Sequence, residues 1–421
     1  MNAAIDKLRA EWDSAAIGLA VFLFHLWHVP AIAAAAIFRK SNLAFDFDID
    51  RFVRLWGESP FPVHQNEDYY AVRHPLAVLV RLVDRPLVAA GLDAHVVGCS
   101  IAAFCAGVSA VLAFRIALAA GVARGLAYIL TALWVFSAAP LLLGVLPESY
   151  DLAFIALSCQ FLLAIHWTLG RKPALAARLG LGIANFGITI TNVVLSGLTE
   201  LVCRLTRQPW RKAVLGTAGF SAAVAVIGIA LGMLSLTIWP SDKIHGSTRA
   251  VKQVYWDAAS AERTAERQSP AQVAWVFGAV SFVTPPPARF ASGEPANPYL
   301  YDLRGNAYGA AGWIAVAGWL GLLLLGAVAA AKDRELRPVW IIAAGWIAGN
   351  VALHSYWQFR DTLFLYSPHS HIAFFVLALA GARQAQTRSG GALAYGAAAL
   401  LVVLFMALNN LPVYLGLVRL N

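Results

Sequence analysis

Apolar stretches of about twenty residues recur along the whole chain, and that recurrence constrains the architecture before any motif is considered. The hydrocarbon core of a bilayer is about 30 Å thick, the length a helix covers in about twenty residues. Composition agrees: 59% of the 421 residues are apolar and 13% are charged, too little polar surface for a water-soluble domain. The expected fold is therefore all-α, a polytopic membrane protein forming one unit over 1–421, with no internal repeat and no low-complexity linker. The net charge of +9 reflects Lys and Arg at helix ends rather than a nucleic-acid surface. Cys99, Cys105, Cys159 and Cys203 all fall inside apolar runs without metal-ligand spacing, so they read as small hydrophobes.

Membrane helices are predicted at 15–38, 95–119, 125–146, 149–169, 179–192, 193–204, 213–238, 309–331, 338–355, 368–384 and 391–411, ten or eleven in all. The fifth and sixth are short, either half-helices meeting at "TITNVV" or one hairpin dipping part-way. Lys7 and Arg9 ahead of the first run mark an uncleaved signal anchor. Short loops rich in Lys and Arg face the cytoplasm. With the N-terminus inside, the even-numbered helices end at Arg124, "RKPALAAR", "RLTRQPWRK", "KDRELR" and "RQAQTR", all basic. The opposite ends, "LPESYD", "TITN" and "HSYWQFRDTLFLYSPH", are poor in both residues. Two long connections, 39–94 and 239–308, then lie on the non-cytoplasmic side, and both are expected to carry short amphipathic helices. The second holds the rigid turn "TPPPAR" and, in "KQVYWDAASAERTAERQ", an amphipathic surface helix.

Polar side chains gather on that same outer side. The first long connection offers Asp46, Asp48, Asp50, Arg51, Asn66, Glu67, Asp68, Arg73 and His74. Later come Glu148, Tyr150, Asp151, Thr189, Thr191 and Asn192, then His354, Arg360, Asp361, Tyr366, Ser367, His369 and His371. Each has an ordinary explanation. Three aspartates suit a solvated loop, "PESYD" a capped helix start, Asn192 a half-helix cap, and the tyrosines an interfacial belt. His25 and His28, one turn apart without an acidic partner, suit hydrogen bonding within the bundle. Their convergence on one side is what points to a site, because ionisable groups near a bilayer are costly.

In order, "FDIDRF" after one membrane helix, "HPL", "PE" opening the fourth helix, "TITN", a long later outer loop and "YSPH" resemble the GT-C superfamily of polytopic glycosyltransferases, nearest its bacterial branch with an "HPL" first loop. The resemblance covers about 45–370 and rests on ordered short motifs. "NED" at Asn66 to Asp68 stands where many relatives carry "DE", which leaves Asp46, Asp48, Asp50 and Asp68 all open as the catalytic carboxylate. The resemblance implies transfer of a sugar from a polyprenyl-phosphate carrier to an envelope glycan, lipid or protein acceptor. In a bacterium that places the site on the periplasmic face of the inner membrane. Asp48 is then the expected general base, with Asp46 orienting and Arg51 beside it. Arg51, His74, Arg360 and His369 are candidates to receive the lipid phosphate, and Glu148, Asn192 and Tyr366 complete the substrate site. Asp46, Asp48 and Glu148 are the carboxylates that would hold Mg²⁺ or Mn²⁺ if the reaction uses one. Two other readings stay open: a transporter or flippase of a lipid-linked sugar, given the short broken pair at 179–204, and a non-catalytic scaffold for envelope assembly.

Overall fold

The computed structural model describes residues 2–35, 49, 53, 77–238, 268–286, 308–357 and 363–419. These residues form helices and connecting turns, with no strand among them. Each predicted span overlaps a helix, but the one expected over 125–146 is broken at Ser137 into two helices, and the one expected over 179–192 ends at Ile188. In chain order these are α1 (Asn2–Ala34), α2 (Arg81–Ala89), α3 (Ala94–Ala119), α4 (Arg124–Phe136), α5 (Ala138–Leu143), α6 (Ser149–Thr168), α7 (Leu175–Ile188), α8 (Val193–Leu205) and α9 (Trp210–Ile238). There follow α10 (Pro270–Trp275), α11 (Ala310–Lys332), α12 (Arg337–Trp357), α13 (Leu363–Tyr366), α14 (Pro368–Ala385) and α15 (Gly391–Val418). Among the described residues six helices are long and apolar enough to cross a membrane: α3, α6, α11 and most of α1, α9 and α15. The chain is a multi-pass membrane protein.

Where helices cross most closely, glycines make the approach possible. A Cβ on Gly107 of α3 would lie 2.6 Å from the Gly18 carbonyl oxygen of α1. In the crossing of α11 and α14, a Cβ on Gly326 would overlap the Leu377 carbonyl. Between membrane helices little hydrophobic drive remains, so such close backbone packing carries the association.

Three of the basic helix ends, Arg124, "KDRELR" and "RQAQTR", come together. Arg383 of α14 bonds the Ala120 carbonyl that closes α3, Asp333 at 3.1 Å and Glu335. Gln386 caps the same α3–α4 turn through the Ala123 amide and the Gly121 carbonyl. Glu11 and Asp13 pair with Arg115 and Arg124 there. These pairs explain why α1 begins well before the predicted residue 15: its polar first turns continue as helix because α3 and α4 supply partners.

α7 and α8 form a hairpin rather than two colinear half-helices. Asn185 of α7 meets Ser196 of α8 at 3.1 Å, and nearer the open end Arg178 meets Glu200. At about 1.5 Å rise per residue, neither arm spans a bilayer core. Gln160 of α6 accepts from both Asn185 and Ser196 at 3.2 Å, which fixes the hairpin on α6.

The long connection 239–308 is not surface throughout. Residues 276–284 are a π-turn and an irregular segment packed inside the bundle, with Phe277, Val280, Phe282 and Thr284 wholly buried. The sequence carries no signal for this. Irregular backbone is tolerated at depth only where protein satisfies its polar groups, and here side chains and amides from elsewhere in the bundle do so. Trp319 Nε1 donates to the Gly278 carbonyl, Tyr308 to Val283, and the Ala139 and Ala138 amides to Ser281 and Phe282. Asn410 of α15 accepts from the Thr284 amide and donates to the Phe282 and Phe136 carbonyls. The last of these closes the break between α4 and α5. His371 sits between the two irregularities, its ring nitrogens 2.9 and 3.1 Å from Ser137 and Ser281 Oγ.

Candidate functional site

At one end of the bundle, side chains from four separate stretches converge. α6 opens with Pro147 and Glu148. Glu148 takes the N-cap position, its carboxylate accepting from the Ser149 amide, and its own backbone amide donates to the Asp151 carboxylate in the first turn. The capped start expected from "PESYD" is therefore real, but both carboxylates are buried, at 1% and 3% exposure. One Asp151 oxygen has no hydrogen-bond partner. Capping alone does not require such burial, since most helix caps lie in solvent.

Between these carboxylates Tyr150 turns its ring edge-on to His369 at 5.3 Å and to Tyr366 at 5.7 Å. Tyr366 lies 4.9 Å from His354 at the end of α12, and His354 meets Phe277 of the buried segment at 5.2 Å. "YSPH" places Pro368 at the first position of α14, where its missing amide costs nothing. His369 follows at the helix start. Its carbonyl accepts from Trp346 Nε1, and its Nδ1 lies 2.7 Å from Asn192 Oδ1.

Asn192 reaches that position because the β-branched run from Ile188 to Thr191 ends α7. Thr189 is extended, and a single 3-10 turn, Ile190–Asn192, leads into α8. An amide oxygen only accepts, so Nδ1 of His369 carries the proton, and the basic nitrogen of the neutral ring is Nε2. The Asn192 amide nitrogen is buried and has no hydrogen-bond partner. Such a donor is costly unless something accepts from it.

Of the residues singled out from sequence, the structure brings Asn192, Tyr366 and His369 into one cluster, with Glu148 two residues from its central tyrosine. Asp46, Asp48, Arg51, His74 and Arg360 lie outside the described residues, as do Asp50, Asp68 and the predicted surface helix within "KQVYWDAASAERTAERQ". No group of three or more potential metal ligands occurs among the described residues; Asp46 and Asp48 are not among them. Glu200 of α8 is buried and binds Arg178 and Arg204. The four cysteines are free thiols.

Sequence reasoning missed Asp84. This carboxylate is 1% exposed and neither oxygen has a hydrogen-bond partner. α2 packs on α3, whose Gly98 lies against Pro147, the residue before Glu148, so Asp84 belongs to the same end of the bundle. Burial pushes its pKa up to about 6, while Arg85 pulls the other way more weakly. The sequence shows the stripe, with Arg81, Asp84 and Arg85 at i, i+3, i+4 spacing, but not that it faces inward. Because the folded pKa exceeds that of the unfolded chain, Asp84 adds stability below about pH 4 that is lost as pH rises through about 6. Among the described residues, the ionisable neighbours on the packed elements are Arg81 and Arg85 of α2 and Asp93 and His95 at the start of α3. Asp84→Asn is expected to raise the thermal midpoint at pH 7.5 and to flatten its dependence between pH 4 and 6.5, by about 3 kcal/mol at most. An unchanged pH profile would show that the carboxylate is not held in a desolvated place.

Neither a scan against protein-family models nor a comparison with curated proteins finds a match to this chain. Fold and site together define a class: an all-α, multi-pass membrane protein with buried carboxylates, imidazoles, tyrosines and an amide gathered at one end.

Proposed function

We propose that this protein is a GT-C-type glycosyltransferase that moves a sugar from a polyprenyl-phosphate donor to an envelope acceptor. The observation that carries this reading is the convergence of Tyr150, Asn192, Tyr366 and His369. Asn192 comes from "TITN", Tyr366 and His369 from "YSPH", and Tyr150 lies two residues past "PE", three of the ordered motifs behind the resemblance. In the proposed reaction Asp48 takes the proton of the acceptor hydroxyl as its oxygen bonds the anomeric carbon. The bond from that carbon to the phosphate oxygen breaks, and its electron pair leaves with the lipid phosphate. Arg51, His74 and Arg360 are assigned to that growing negative charge. The clustered rings and the unpartnered Asn192 amide suit a sugar better than a phosphate: they offer apolar faces and a neutral donor. In this proposal the site faces the periplasm from the inner membrane, where an activated sugar has to arrive on a lipid.

The second reading, transport of a lipid-linked sugar, is favoured by the α7–α8 hairpin and by the irregular segment facing the α4–α5 break. Against it, the polar groups at that break, His371 and Asn410 included, are bonded to one another. The purified protein in nanodiscs, supplied with a panel of polyprenyl-phosphate sugars and envelope-extract acceptors, is expected to yield free polyprenyl phosphate and a glycosylated product. Movement of an intact lipid-linked sugar across vesicles, with no carrier cleaved, would replace this reading with transport.

A further inference from the structure

α2 and the 3-10 turn before it (Ala77–Val80) are built inside out for a helix in water. Leu79, Leu82, Val83 and Leu87 are 43%, 65%, 58% and 39% exposed, whereas Arg81 and Asp84 are each 1% exposed. We infer that Ala77–Ala89 is an interfacial helix, lying in the membrane surface with those four side chains in the acyl layer and Arg81 and Asp84 turned into the protein.

Three observations support the bilayer as occupant. The exposed face is continuous with a membrane-crossing surface: Leu92 carries it through the turn, and α3, starting at Ala94, exposes Phe104. The turn is sharp, with Gly91 in the left-handed region at φ 95°, so the short helix folds off the crossing helix instead of extending it. The helix also cannot cross a membrane itself: it is too short, and Arg81, Asp84 and Arg85 interrupt it. Short length, a strong apolar face and basic side chains describe an element that lies on a bilayer rather than through it. The orientation gives the buried charges a physical reason: lipid holds the leucine face outward and so keeps Arg81 and Asp84 beneath the helix. None of this depends on the transferase reading.

The test is a spin label on Leu82→Cys and on Leu87→Cys in the full chain in lipid nanodiscs, with the four native cysteines replaced by alanine. Collision with dissolved oxygen, which concentrates in lipid, is compared with collision with a water-soluble nickel chelate. Leu324→Cys on α11 serves as the lipid reference and Arg388→Cys in an exposed turn as the water reference. Both α2 sites are expected to match Leu324→Cys, with a several-fold excess of oxygen over nickel collisions. Values like those of Arg388→Cys would overturn the inference. Protection from both reagents would also overturn it, by showing that protein, such as a second copy of the chain, covers this face. References that behave as expected keep either result from being ascribed to misfolding.

Discussion

Asp48→Asn is expected to lower sugar transfer by about 10²–10⁴-fold, the usual contribution of a positioned general base, while leaving donor affinity nearly intact. His369→Ala is expected to cost about 10²-fold through lost positioning of the sugar and to act differently, because His369 is held by the bundle itself. Its Nδ1 hydrogen bond to Asn192 and the Trp346 bond to its carbonyl set the ring before any substrate arrives. Asn192 therefore supplies a further discriminating pair. Asn192→Asp keeps an acceptor for Nδ1–H and preserves the tautomer, whereas Asn192→Leu removes it and leaves the imidazole free to donate from either nitrogen. Both lose the amide donor. If that donor binds sugar, both variants raise KM, and only Asn192→Leu also lowers kcat. Steady-state kinetics on the donor identified in the nanodisc assay check this. Equal kcat for the two variants would remove His369 orientation from the mechanism, and full activity in Asp48→Asn would move the base to Asp46, Asp50 or Asp68.

The membrane architecture was legible because a single physical demand, twenty apolar residues per crossing, writes itself over long windows. The ends of α3 and α6 came out within a residue or two for the same reason, with Asp93 and Glu148 marking their starts. What remained hidden depends on contacts distant in sequence. The burial of 276–284 rests on Asn410, Trp319 and Tyr308, and no local pattern announces a π-turn and irregular segment whose partners, such as Asn410 on Phe282, lie as far as 128 positions away or farther. The grouping of Tyr150, Asn192, Tyr366 and His369 was half legible. Alternation of helix direction placed them on one side, but only packing shows which ring meets which. Asp84 escaped for another reason. A charged stripe opposite leucines looks like an ordinary amphipathic helix, and only exposure tells that the charged side faces inward.

Glu200→Ala is expected to destabilise the protein by about 3–5 kcal/mol, the cost of leaving a buried charge without its partner. Arg178 donates to both carboxylate oxygens at 2.6 and 2.8 Å and is only 7% exposed, with its guanidinium 4.7 Å above the Trp167 ring. Arg204, one turn along α8, adds a bond at 2.8 Å but is 22% exposed, so its aliphatic stem allows the charge to reach water when Glu200 is lost. The damage should thus run through Arg178. Arg204→Ala should cost about 1 kcal/mol, since Glu200 keeps its Arg178 partner and only one hydrogen bond is lost. Combining Arg178→Met with Glu200→Leu should recover most of the loss, because an apolar pair of similar volume avoids desolvating either charge. Thermal unfolding in detergent micelles provides the measurement, and a double variant no more stable than Glu200→Ala would show that the ion pair is not what holds the hairpin. The consequence reaches the site. Arg178 and Glu200 clamp the open end of the α7–α8 hairpin, and Asn192 sits at its tip. A loosened clamp should therefore weaken the Asn192–His369 bond and reduce transfer even in molecules that remain folded.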